Sequence, residues 1–164
     1  MSPEDRIDRI ERGVEGLIAR LEGLPDRALY EPPAPGEWPV MSTLAHVAEM
    51  LPYWAQQASQ IGQHPGAPFG RMHDDPARLG AVSEHGGDAA EVIRAALRTS
   101  LDRAIATLRA LPEASWTARG AHPRRGEMSA REVVDTFMVD HVEEHAGQVD
   151  AALRALGYSP SQVP

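Results

Sequence analysis

Apolar residues recur at spacings of three and four in four stretches of the chain, the period of one helix face. The first covers residues 3–21, with Ile7, Ile10, Val14, Leu17, Ile18 and Leu21 as its stripe. Ser2 suits its cap, Pro3 its first helical position, and Gly23 its end. The second covers 40–60, with Leu44, Val47, Leu51, Trp54, Ala55 and, just beyond, Ile61 in register. Pro52 lies inside it and predicts a kink or a division into two pieces. The third covers 88–111, where Val92, Ile93, Ala96, Leu97, Leu101, Ile105 and Leu108 mark the buried side and Pro112 the end. The fourth covers 129–157, opening on a capping box between Ser129 and Glu132 and closing on Gly157. Its inward face reads Val134, Phe137, Met138, His141, His145, Val149, Ala152 and Leu156. Two members of that face, His141 and His145, are not apolar.

The connections differ in character. Pro32, Pro33, Pro35 and Gly36 make residues 31–39 an extended segment, with Trp38 expected to anchor it to the core. Residues 62–87 form a long connection with a short turn of helix expected near 76–82. A connection of this length is a crossover or a functional loop. Residues 112–128 form a second loop, carrying Trp116 and the basic cluster Arg119, His122, Arg124 and Arg125. No segment alternates convincingly at the period of a strand. The pattern predicts an all-α four-helix bundle, one domain over 1–164 with a frayed tail at 158–164. The long connection between the second and third helices predicts that these two run parallel.

Composition narrows the chemistry. There is no cysteine, so disulfides, thiolate nucleophiles and cysteine metal sites are excluded. There is no lysine either; all 16 basic residues are arginine, which excludes Schiff-base chemistry and phosphate-loop lysines. A nucleophile must then come from a second substrate or from an activated water. The net charge of −8 opposes binding to nucleic acid. The acidic start, Met1 to Arg6, does not read as a secretion signal, and no apolar run is long enough for a membrane span. A cytoplasmic protein is expected.

Of the seven histidines, three stand out. His141 and His145 lie one turn apart, roughly 5–6 Å between Cβ atoms, close enough to reach one ion. His46, flanking the stripe of the second helix, supplies a third imidazole from a neighbouring element. Three imidazoles suit Zn, Ni, Fe or Cu and leave a coordination position open. Glu49, Asp140 and Glu144 are the acids expected to support them. Spacing alone leaves open the other reading, buried histidines satisfied by hydrogen bonds within the bundle.

Two local sequences bear on that choice. Pro35-Gly36-Glu37-Trp38 followed by Leu44-Ala45-His46-Val47-Ala48-Glu49, and Asp140-His141-Val142-Glu143-Glu144-His145-Ala146-Gly147-Gln148, resemble the two signatures of the DinB-like superfamily. The likeness extends to Leu24-Pro25, to Phe69-Gly70-Arg71 and Asp74-Asp75-Pro76, and to the segment from His122 to Met128. It implies a four-helix bundle of up-down-down-up topology with a divalent metal, Zn, Ni or Fe, on His46, His141 and His145. The chain departs from the family where Ser and Glu would form a capping box after the tryptophan: Pro39 and Ser42 stand there, so the second helix starts without a side-chain cap.

The resemblance further implies a metal-dependent enzyme acting on a small molecule, a thiol-dependent S-transferase or a hydrolase. A low-molecular-weight thiol would be the cosubstrate of the former. The abundance of Arg, Ala, Gly and Pro fits a GC-rich coding sequence, which makes mycothiol one candidate thiol. The alternative is a metal-binding or stress-response protein without catalysis. Tyr53, Arg71, His122 and Gln148 are further candidates for the pocket, with His73, Arg124 and Arg125 in loops that border it. The arginines are suited to an anionic substrate. His64 and His85 are expected to be solvated, and a homodimer is compatible with apolar helix edges.

Overall fold

The computed structural model describes residues 1–159. Its elements are α1 (Pro3–Ala19), α2 (Asp26–Tyr30), α3 (Val40–Gln63), α4 (Pro76–His85) and α5 (Ala90–Arg109), followed by a 3-10 turn (Glu113–Thr117). The hairpin β1 (Arg119–His122) and β2 (Gly126–Ser129) comes next, then α6 (Ala130–Val134), a π-helical turn (Asp135–Val139) and α7 (Asp140–Ala155).

Why these segments are helical follows from their ends and faces. Ser2 and Asp5 form a reciprocal capping box at α1, and Ser129 and Glu132 form another at α6. Asp75 caps α4 by accepting from the backbone N–H groups of Ala77 and Arg78. At α3 the cap position is Pro39 and no side chain caps the first turn, as the sequence predicts. The buried stripes then close on each other. Ile10, Val14 and Leu17 of α1, Leu44, Val47 and Leu51 of α3, Leu97 of α5, and Val149 and Leu153 of α7 are all 0–1% exposed. Removal of this apolar surface from water is the main drive to fold.

Cross-helix pairs give the directions. Arg6, Arg9 and Arg20 of α1 pair with Asp135, Glu143 and Asp150 in ascending order, so α1 and the last helix run the same way. Ser42 at the start of α3 lies against Gly86, and Gly62 at its end lies against Leu111 and Ser115. Helices α3 and α5 therefore also run the same way, with α4 on the return path. Arg109 near the end of α5 reaches Glu4, which sets α5 against α1.

Several expectations need correction. Helix α3 is continuous through Pro52, so of the two outcomes expected there, a kink or a division, the division does not occur. Val92, expected to be buried, is 52% exposed, while Leu153, outside the predicted stripe, is fully buried. The last helix is not one regular α-helix: the π turn inserts a residue just before His141. That insertion rotates the face, so Val139 and Val142 join the core and Phe137 is left half-buried. Arg6, itself 5% exposed, holds the start of the π turn through a two-pronged pair with Asp135, at 2.7 and 2.8 Å.

The hairpin is the largest departure. Residues 119–122 and 126–129 pair antiparallel, His122 opposite Gly126, around Pro123, Arg124 and Arg125. Gly126 has φ of +72°, the left-handed position that closes a three-residue hairpin loop. The loop after α3 adds to its edge: the N–H of Phe69 donates to Ala121 and the N–H of Ala121 donates to Ala67. Tyr158 is anchored by its N–H to Leu153, so the expected fraying does not begin there. The remainder of the predicted tail, 160–164, lies outside the described residues.

Candidate metal centre

The three histidines meet. His46 comes from the second turn of α3, and His141 and His145 from successive turns of α7. One ring nitrogen of each lies within 4.8 Å of those of the other two. His46 is 2% exposed and His145 5%, while His141 is half-buried and faces the open side. The Nε2 atoms of His46 and His141 are 3.4 Å apart. That is long for a hydrogen bond between imidazoles. It matches the roughly 3.3 Å expected between two nitrogens bound to one tetrahedral ion at about 2.0–2.1 Å.

Each ring's other nitrogen bears on the fit. His145 donates its Nδ1–H to Gln148 Oε1 at 2.8 Å, which leaves its Nε2 lone pair free, and that buried Nε2 has no protein partner. Fixing one ring nitrogen by a hydrogen bond so that the other serves as ligand is a recurring device in metal sites. The Nδ1 of His46 is buried without a partner. Burial, reinforced by His145 and Arg78, pushes His46 down to about 2 and His141 to about 4 from an ordinary 6.5. Burial also lowers His145, against the opposing hydrogen bond to Gln148. All three are therefore neutral at pH 7, the state a cation needs. The donor set fits a borderline divalent ion that accepts nitrogen.

The cluster opens on a cavity of about 400 Å³. His46 and His141 form its floor; Trp54, Phe137 and His122 form a stacked aromatic wall, with Trp54 and Phe137 4.0 Å apart and nearly parallel. Arg71, Met72 and His73 enter from the connection between α3 and α4, Arg78 from α4, and Arg124 and Arg125 from the hairpin turn. Among the described residues no acidic side chain lines it. The loop course depends on Gly70, whose φ is +84° and where a Cβ would lie 2.5 Å from His122 Cδ2.

The supporting residues sort differently from expectation. Glu49 does not support His46; it holds Arg71 through both oxygens, at 2.5 and 2.7 Å, and that guanidinium lies 3.9 Å over the Tyr53 ring. Tyr53 therefore backs Arg71 and does not line the cavity. Glu144 stands 4.0 Å from His141 Nδ1, too far for a hydrogen bond, and accepts from Gln148 at 3.3 Å. Asp140 is exposed and makes no hydrogen bond to the three histidines among the described residues. Trp38 is half-buried at the site, not in the core: its ring edges onto His46 at 5.8 Å, and Arg78 sits 5.5 Å above it. His64 and His85 are exposed, as expected.

Two residues with a clear place here escaped the sequence. Arg78 sits on a helix too short to show a face. Phe137 was assigned to the core stripe, and only the π turn moves it to the cavity wall.

The chain belongs to the DinB superfamily, whose family model matches residues 9–149. Among solved structures, it is similar to YfiT from Bacillus subtilis, described as a probable metal-dependent hydrolase with an unusual four-helix bundle topology. The two are 18% identical with a TM-score of 0.81, over 97% of this chain and 91% of that one. It is also similar to a mycothiol-dependent maleylpyruvate isomerase, at 18% identity and TM-score 0.71, over 95% of this chain and 68% of that one. A point mutant of such an isomerase aligns at 19% identity and TM-score 0.68. At these identities the likenesses establish the fold. A search of curated proteins returns no sequence match.

Proposed function

We propose that His46, His141 and His145 hold one divalent cation, Zn, Ni or Fe, and that this member of the DinB superfamily is a metal-dependent enzyme for a small-molecule substrate. The observation that carries the reading is the three-imidazole cluster, neutral and converging, at the floor of a cavity large enough for a metabolite. The cavity favours an enzyme over a protein that merely stores metal.

Such an ion, when bound, lowers the pKa of a water or thiol and so supplies a nucleophile near neutral pH. The chain's own residues supply the rest. Gln148 fixes the tautomer and orientation of His145. Trp54 and Phe137 offer an apolar wall that excludes water from one side of the substrate. The chain has no cysteine, so a thiol nucleophile would be an external low-molecular-weight thiol. Hydrolysis by activated water is the other arm of the proposal, and the two structural likenesses support one arm each.

Elemental analysis of purified protein tests the metal. One divalent ion per chain is expected in the wild type and none in a His141→Ala/His145→Ala double variant. Unchanged content in that variant overturns the ligand assignment. Ester and amide panels, run with and without mycothiol or another cellular thiol, then separate the arms: turnover only with thiol supports transfer, turnover without it hydrolysis.

A further inference from the structure

The cavity walls carry an unbalanced charge. Most arginines of this acidic chain are paired with a carboxylate, and Arg71, with Glu49, is one of them. Arg78, Arg124 and Arg125, all lining the cavity, have no carboxylate partner among the described residues. Arg78 donates to the His73 carbonyl at 2.7 Å, and Arg125 lies 5.2 Å from the Phe137 ring centre. Both contacts orient a guanidinium without neutralising it. Like charges gathered around one concavity repel unless an anion sits among them.

His122 fixes the turn that carries two of them. Its Nδ1 accepts from the backbone N–H groups of Arg124 and Arg125, at 3.2 and 3.3 Å. The neutral ring must then carry its proton on Nε2. Burial, with Arg125 and Arg124 nearby, lowers its pKa, so the ring stays neutral and keeps that donor. The ring is 7% exposed, and its Nε2–H, shut off from the cavity beside Gly70, has no acceptor among the described residues. The hairpin turn thus does two things at once: its backbone sets the tautomer of His122, and its side chains place two guanidinium groups at the same rim.

We propose that Arg78, Arg124 and Arg125 form an anion subsite that holds a carboxylate or phosphate group of the substrate beside the histidine cluster, with the His122 ring fixing the hairpin turn that carries two of them. This deepens the reading of the cavity as an active site. Guanidinium forks match either oxyanion through paired N–H donors. The substrate class is a small molecule with an oxyanion at one end and its reacting group, a few ångströms away, over the three histidines. Arg71 is not part of the subsite, because Glu49 already takes both of its forked donors.

The test is titration of the full-length protein, chelator-treated and then metal-loaded, with succinate, inorganic phosphate and the neutral control succinamide. Succinate or phosphate is expected to bind the metal-free protein, and succinamide not; the tighter of the two anions names the group. Arg124→Ala/Arg125→Ala and Arg78→Ala should each weaken binding by about tenfold or more, as for lost charge-assisted hydrogen bonds. Circular dichroism checks that each variant is folded, and Arg103→Ala, an exposed arginine on α5 outside the cavity, should bind as wild type does. Equal affinity in the arginine variants, or no anion binding in either metal state, overturns the subsite. Anion binding that appears only with metal and ignores the arginines overturns the subsite but leaves the metal reading standing. Arginine-dependent binding in a protein whose histidines take up no metal does the reverse.

Discussion

The two ends of this bundle are built by different rules. In the body of the bundle, α1, α3, α5 and α7 meet through aliphatic stripes at helical spacing, and almost every large side chain there is fully buried. Around the site, α3 and α7 contribute three imidazoles and α3 and the π turn contribute Trp54 and Phe137, while the connection after α3, α4 and a hairpin of two four-residue strands contribute the cationic wall and His122. The body is held by non-directional burial, which tolerates small shifts. The site is held by directional contacts: Glu49 on Arg71, Gln148 on His145, and two backbone N–H groups on His122. Variants in the body should therefore change stability and leave the site's chemistry intact, and variants around the site should do the opposite. The predictions below run from the largest effect to the smallest.

Leu97 on α5 is fully buried and distant in sequence from any cavity residue. Leu97→Ala should cost about 2–5 kcal/mol of unfolding free energy, as large-to-small core changes do. Metal content per folded chain should not change. Urea unfolding with parallel metal analysis is the measurement, and a loss of metal without a loss of stability would erase the distinction between the two ends.

Acid should act through the site. His46 and His141 titrate near 2 and 4 in the folded metal-free protein and near 6.5 when unfolded. Between those values the unfolded chain binds more protons, so stability is complete above about 6.5 and falls as pH drops below it. The slope is up to about 1.4 kcal/mol per pH unit for each histidine. Chelator-treated protein, unfolded in urea at several values between pH 7 and 5, reads this largely above the titration of the carboxylates. His46→Leu should flatten the slope by one histidine's share; an unchanged slope would place the sensitivity elsewhere.

Gly13 tests where the two ends connect. A Cβ there would stand 2.6 Å from Val142 Cγ1, because the Val142 side chain of α7 packs directly onto the backbone of α1 at that level. Val142 follows His141 directly. Gly13→Ala should cost about 1–3 kcal/mol through overpacking. It should also weaken metal binding, because relief of the clash moves the backbone that carries His141. A stability loss with unchanged metal affinity would mean that Val142 yields by changing its rotamer alone.

How much of this could be read from the sequence follows the same division. The helices, their caps and the three histidines were legible because burial repeats at a period and because the two His signatures sit on that period. The π turn was not, since Val134, Met138, His141 and His145 also fit a regular helix, and the Arg6–Asp135 pair at its start joins residues 129 apart in the sequence. The hairpin was not, since strands as short as Arg119–His122 carry no alternation that stands out from loop sequence. Gly126, after His122-Pro123-Arg124-Arg125, was the available sign of it. The partners of Glu49 and Arg71 were out of reach because their meeting depends on the course of a long loop, and local spacing says nothing about that.

Gln148 gives the finest separation of the two ends. It is exposed on α7, contributes no buried apolar surface, and bonds His145 Nδ1 through its side-chain oxygen. Gln148→Leu keeps the helix and most of the side-chain volume but removes the acceptor. His145 then loses the contact that selects its tautomer, and part of the population carries the proton on Nε2, the nitrogen that faces its two partners. Metal affinity should fall by about tenfold, the low end for loss of an orienting partner, because the amide is solvated and water can replace it in part. The melting temperature of the metal-free protein should hardly move, since exposed substitutions of this kind stay within about 0.5 kcal/mol. Competition with a chelator of known affinity measures the first quantity and thermal unfolding the second. A drop in melting temperature with full metal affinity would make Gln148 a packing residue, and with it the contrast between a body held by burial and a site held by hydrogen bonds would fail at its closest point of contact.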